Sequence, residues 1–138
     1  MTRVDQKELD GMLVRAAEAM THAYAPYSQY QVGACLRTDD GRYYCGCNIE
    51  NAAYSPTNCA ERTALFTAVY EGERHFSALA IACSGEYPSF PCGVCRQALS
   101  EFCPPEMPVY CANKNGEAAL LTLGELLPKS FGPKDLQK

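Results

Sequence analysis

Apolar residues recur at helical spacing near the start of the chain. Leu9, Leu13, Ala16, Ala17, Met20 and Tyr24 fall on one face, which predicts a first helix over residues 5–24. Ala25-Pro26-Tyr27-Ser28 ends it. Residues 29–38 and 42–48 then read as strands, joined at Asp39-Asp40-Gly41, where Asp-Gly is a strong hairpin signal. The cap-type residues Ser55, Thr57 and Asn58 precede the apolar pattern Ala60, Leu65, Phe66, Val69, so a second helix should begin at or beside Cys59.

Residues 77–84 form a short apolar run that reads as a strand. Pro91 precedes a third helical pattern, Val94, Leu99, Phe102, which Pro104-Pro105 stops. Cys92 and Cys95 fall in its first turns. Residues 107–112 and 118–123 read as two more strands and residues 122–127 as a short last helix, with an irregular tail from Pro128. The resulting order of helices and strands predicts an α/β protein with a mixed sheet and helices on both faces.

Neither composition nor length suggests a second module, so residues 1–138 are expected to form one domain. Apolar residues make up 47% of the chain and charged ones 20%, enough to bury a core. The longest apolar run, residues 78–83, is too short to span a bilayer. Asp5, Lys7, Glu8 and Asp10 interrupt the start in a way a secretory signal does not tolerate, which points to the cytoplasm. The net charge of −4, with scattered Lys and Arg, argues against nucleic acid as a partner.

Nine cysteines, an odd number without a secretory signal, argue for reduced thiols, some of them binding metal. Cys92 and Cys95 lie three residues apart at a helix start, on one face, and can grip one ion. Cys59, at another helix start and followed by Ala60-Glu61, is the best third ligand. Three thiolates with an open fourth position make a catalytic zinc site. Cys45 and Cys47 offer the rival reading of a closed, structural four-cysteine site. Glu61 reads either as a catalytic carboxylate or as the third residue of a capping box behind Asn58. His22 and His75 have no partner ligand at a useful spacing, and Cys35, Cys83, Cys103 and Cys111 read as small buried residues.

Four motifs, Ala25-Pro26-Tyr27-Ser28, 46–54 (Gly-Cys-Asn-Ile-Glu-Asn-Ala-Ala-Tyr), Cys59-Ala60-Glu61-Arg62-Thr63-Ala64 and 91–97 (Pro-Cys-Gly-Val-Cys-Arg-Gln), resemble those of the small cytidine deaminases, in that family's order. The resemblance covers residues 23–137, and Cys59 in place of His resembles the short-chain, homotetrameric branch. It implies a three-layer α/β/α cytidine-deaminase-like fold around a mixed five-stranded sheet. It also implies one Zn2+ per chain on Cys59, Cys92 and Cys95, and hydrolytic deamination of cytidine and 2'-deoxycytidine to uridine and 2'-deoxyuridine in pyrimidine salvage.

By the same resemblance Glu61 is the proton shuttle. The Ala60 N–H contacts the base carbonyl, and Tyr30 stands at the aromatic position beside the base. Asn48 and Glu50, two apart on a strand end and so pointing the same way, hold the ribose 3'-hydroxyl. Their carboxylate favours nucleosides over nucleotides; the plainer reading is a pair that caps the loop at Asn51. Arg62 is a partner of the cysteine sulfurs, with Gln97 orienting it, against the plainer reading of a solvent-facing helix residue. Tyr54 and Phe131 complete a neighbouring subunit's pocket in a homotetramer, although Lys134 stands in the tail where an acid is usual. The competing functions are a deaminase for polynucleotides or for a modified nucleoside, and a zinc-stabilised binding domain that would have no use for Glu61.

Overall fold

The computed structural model describes residues 4–137. Its elements are helix α1 (Gln6–Met20), strands β1 (Val32–Thr38) and β2 (Tyr43–Cys47), helix α2 (Ala60–Tyr70), strand β3 (Phe76–Cys83), helix α3 (Gly93–Ser100), strands β4 (Pro108–Ala112) and β5 (Ala118–Thr122), and helix α4 (Leu123–Leu126). A 3-10 turn (Pro133–Leu136) lies within the tail, so that segment is not wholly irregular.

The strands form one sheet in the order β2-β1-β3-β4-β5. The β1–β2 hairpin, the β1–β3 pair and the β4–β5 pair are antiparallel, while β3 and β4 are parallel. α3 makes the crossover between those parallel strands, the connection that parallel pairing requires.

Each face of the sheet carries its own core. On one side Leu9, Met12 and Ala16 of α1 pack on Cys35, Ala78 and Ala80. On the other, Ala60, Ala64, Leu65 and Ala68 of α2, Leu99 of α3 and Leu123 of α4 pack on Leu36, Leu79, Ile81 and Val109. β3 is buried along its whole length because it sits between these two layers. The fold is the three-layer, mixed five-stranded arrangement expected.

The first helix departs from expectation at its C-terminal end. It stops at Met20, and its buried stripe is Leu9, Met12, Ala16 and Ala19; Ala17 is exposed, and Tyr24 lies outside the helix. The backbone explains the early stop. Tyr24 donates its N–H to the Asn48 carbonyl and accepts from the Glu50 N–H, a short parallel bridge that a helical Tyr24 could not make.

Two close approaches fix the layers. Gly33 lies directly beneath the α1 backbone at Ala16 and Met20, with no room for a Cβ. At Gly46 a Cβ would stand 2.5 Å from the Ala64 nitrogen and 2.7 Å from the Ala60 oxygen, so the start of α2 rests on β2.

Candidate active site and metal centre

Helices α2 and α3 begin side by side, and their first turns carry the candidate ligands. Cys59 is the N-cap of α2 and Cys92 the N-cap of α3, both in extended backbone and neither using its side chain to cap. Cys95 lies one turn into α3, fully buried. Among the described residues, these three alone bring the ligand atoms of three or more metal-binding side chains together, within 4.8 Å of one another. The Cys59 and Cys92 sulfurs are 3.8 Å apart. Two sulfurs bound tetrahedrally at about 2.3 Å from one zinc ion would be separated by about 3.8 Å, so the donor set fits zinc.

Cys45 and Cys47 stay out of this group. Cys45 faces Cys35 across the hairpin, which removes the closed four-cysteine site. The capping box behind Asn58 is also absent: Cys59 is the N-cap, and the Asn58 amide donates instead to the Thr63 hydroxyl at 3.1 Å.

Three thiolates around one divalent ion carry net charge −1. Arg62 faces them, donating from Nε to the Cys95 sulfur at 3.4 Å and from Nη2 to the Cys59 sulfur at 3.3 Å. The two helix N-termini add partial positive charge. Hydrogen bonding from Cys95, reinforced by Arg62 and Cys92, holds the Cys59 thiol down at about 5. Cys59 is therefore poised as a thiolate.

A cavity of about 210 Å³ opens beside these sulfurs. Its lining includes Cys59, Cys92, Ala60 and Glu61 together with Tyr30, Asn48 and Glu50. Glu61 is buried, and that burial pushes its carboxyl up to about 7. Ala60 is the first residue of α2, where a backbone N–H has no partner within the helix.

Asn48 is fixed by backbone on both ends. Its Oδ1 accepts from the Val32 N–H at 2.9 Å and its Nδ2 donates to the Tyr30 carbonyl at 2.8 Å, leaving one proton and one lone pair for a ligand. Glu50 accepts from the N–H groups of Tyr27 at 2.9 Å and Ser28 at 3.1 Å, and from the Ser28 hydroxyl. Hydrogen bonding by Ser28 holds its carboxyl below the usual range. The turn at residues 25–28 is thus a clamp on Glu50, a role for Ser28 that the sequence did not reveal because 22 residues separate the partners.

Tyr30, which lines the cavity, follows Gln29, whose φ of 59° is left-handed. Burial, then a hydrogen bond with Cys83, raises the Tyr30 hydroxyl, and its ring lies against Gly85. Arg96 donates to the carbonyls of Pro91 at 2.6 Å and Leu126 at 2.7 Å, and so ties the turn before Cys92 to α4.

One expected contact is not made. The Gln97 amide donates to the Phe131 carbonyl at 2.9 Å, so it holds the tail and not Arg62, whose own bonds go to sulfur. Phe131 and Tyr54 are exposed and do not line this chain's cavity; the Tyr54 ring meets Tyr27 edge-on, with centroids 6.4 Å apart.

The profile of the family described as the cytidine and deoxycytidylate deaminase zinc-binding region matches residues 6–111. A cytidine deaminase of Sporosarcina psychrophila is 49% identical, covering 94% of this chain and 95% of the relative. One from Halalkalibacterium halodurans is 48% identical over 91% of this chain and 96% of its own. The crystal structure of a cytidine deaminase from Burkholderia pseudomallei superposes with a TM-score of 0.85 at 44% identity, covering 88% of this chain and 98% of that one. With the cysteine triad and the three-layer fold already in place, these matches show that the chain belongs to the cytidine and deoxycytidylate deaminase family of hydrolytic enzymes.

Proposed function

We propose that this protein catalyses the zinc-dependent hydrolytic deamination of cytidine and 2'-deoxycytidine, giving uridine and 2'-deoxyuridine with release of ammonia, as a step of pyrimidine salvage in the cytoplasm. One observation carries the reading: a single cavity is lined by two cysteines of the triad, by the buried Glu61 and by the Asn48–Glu50 pair. The whole chain, residues 1–138, is taken as the catalytic domain.

One zinc per chain, held by Cys59, Cys92 and Cys95, would supply Lewis acidity and make water a nucleophile near neutral pH. The protein's own groups do the rest. Glu61, two residues past a ligand and facing the same cavity, takes a proton from the attacking water and delivers protons to the ring nitrogen and the leaving amine. Ala60 offers its N–H to the base carbonyl, while Tyr30 presents an aromatic face to the ring. Asn48 and Glu50 take the ribose 3'-hydroxyl, and the clamped, ionised Glu50 repels a phosphate on the sugar. Arg62 offsets the negative charge of the thiolates. Tyr54 and Phe131 are assigned to a neighbouring subunit's pocket in a homotetramer.

Zinc analysis and ammonia release decide the reading. Zinc-loaded protein is expected to release ammonia from cytidine and 2'-deoxycytidine and to act poorly on deoxycytidylate. Faster turnover of deoxycytidylate would overturn the role given to Glu50, and no ammonia from any of the three would overturn the activity. Cys59→Ala, Cys92→Ala and Cys95→Ala should each lose zinc. If Cys45→Ser or Cys47→Ser lost it while Cys59→Ala kept it, the ligand set would be wrong.

A further inference from the structure

Outside the cavity, one pair of thiols has no part in the reaction. Cys35 and Cys45 are direct partners in the β1–β2 hairpin. The Thr38 N–H bonds to the Arg42 carbonyl and the Asn48 N–H to the Val32 carbonyl, which marks both ends of the ladder as hydrogen-bonded pairs. Alternation in an antiparallel ladder then makes Cys35 and Cys45 a non-hydrogen-bonded pair, with Cα atoms about 4.5 Å apart and side chains on the same face. That separation falls inside the range of about 4.4–6.8 Å that a disulfide spans.

The two thiols differ in their surroundings. Cys35 is buried under α1 among Leu9, Met12 and Ala16, whereas Cys45 is exposed on β2, the edge strand of the sheet. Hydrogen bonding from Cys35 lowers the Cys45 thiol to about 7. Arg15 of α1 acts in the same direction and Glu18 against it. The Arg15 guanidinium is anchored 4.2 Å over the ring of Tyr43, which shares a strand face with Cys45. The pair therefore has an accessible attacking thiol with a cation near it and a sheltered resolving thiol.

We infer that Cys45 and Cys35 form a thiol–disulfide exchange site that takes a low-molecular-weight disulfide of the glutathione type and closes reversibly into a cross-strand disulfide. The Cys45 thiolate attacks one sulfur of the small disulfide, forming a mixed disulfide and expelling one glutathione thiolate. Cys35 then attacks the Cys45 sulfur, its S–H proton passing to the second departing glutathione thiolate. Two protein thiols are oxidised, and one small disulfide is reduced to two thiols. The pair lies on the α1 face of the sheet, while Cys59, Cys92 and Cys95 belong to the α2–α3 side, so the link closes without drawing on the metal ligands.

The test uses zinc-loaded protein treated with oxidised glutathione, alkylated, digested with trypsin and mapped by mass spectrometry. Trypsin gives residues 16–37, which hold Cys35, and residues 43–62, which hold Cys45, Cys47 and Cys59. The expected product is these two peptides joined, two hydrogens lighter than their sum, with zinc still bound. The join should vanish in Cys45→Ser and persist in Cys47→Ser. Cys35→Ser should stop at one glutathione on residues 43–62, which Cys45→Ser placed on top of it removes. A join that survives Cys45→Ser, a first link to residues 75–96 with loss of zinc, or no join in folded protein at oxidant levels that link the reduced, unfolded chain would each overturn the site.

Discussion

Glu61→Gln exchanges one atom of a buried side chain for a near-isostere, so it isolates proton transfer from packing. It should keep zinc and fold while lowering turnover by ~10²–10⁴-fold, the usual worth of a general acid or base. Ammonia release measured beside metal content checks it, and near-normal turnover would remove Glu61 from the chemistry. Ser28→Ala asks about binding instead. The Ser28 hydroxyl holds the Glu50 carboxylate in place, so removing it should raise KM for cytidine with little change in kcat. The sign of its pH effect follows from the clamp. Ser28 lowers the Glu50 carboxyl, so without it Glu50 takes up its proton at a higher pH as acidity increases, and the acid limb of the KM profile should move upward. An unmoved limb would mean that Glu50 does not sense the substrate. At this scale the sequence was most readable where partners are close along the chain. The Cys92–Cys95 spacing and Glu61 beside Cys59 are local, whereas the Ser28–Glu50 clamp and the Gln97–Phe131 bond join residues 22 and 34 apart that no periodicity connects.

Elements place these side chains by resting on one another, and Gly46 is the close approach that bears on the start of α2 and so on Cys59. A methyl group there meets the backbone of Ala60 and Ala64, so Gly46→Ala must push β2 away from the start of α2. The expected cost is about 1–3 kcal/mol of stability, together with weaker zinc retention because Cys59 caps the displaced helix. Urea unfolding with and without a chelator would measure both. Unchanged stability would show that the contact between β2 and α2 has slack. Helix starts, the hairpin and the short final helix were legible in the sequence because caps, Asp-Gly and prolines act locally. The end of α1 was not, since Thr21 to Tyr24 continue a helical pattern and only pairing with residues 48–50 draws Tyr24 out of it. Composition gave no hint either that β3 lies centrally and β2 at the edge, which follows from which faces α1 and α2 cover.

At the scale of the whole molecule, the single chain leaves aromatic surface uncovered. Phe131 is 59% exposed and Tyr54 74% exposed, and neither lines the chain's own cavity. That cavity, about 210 Å³, is smaller than the roughly 300–1,000 Å³ of pockets that enclose small ligands. Full burial of a Phe side chain stabilises by roughly 1.5–3 kcal/mol, which favours docking the tail against another copy of the chain. A homotetramer with shared sites would cover both rings and close the cavities together. Deleting residues 131–138 is then expected to leave zinc bound while raising KM for cytidine at least about tenfold, a loss of about 1.4 kcal/mol in binding. Sedimentation gives the assembly state, and mixing gives the sharper test. Chains carrying Glu61→Gln have the tail but not the proton shuttle, whereas truncated chains keep Glu61 and lack Phe131. If each site borrows Phe131 from a neighbour, co-assembling the two weak variants restores tight-binding, active sites that neither has alone. Simple addition of their separate activities, or a fully active monomer, would mean that every chain builds its site unaided and that the tail only packs against its own α3.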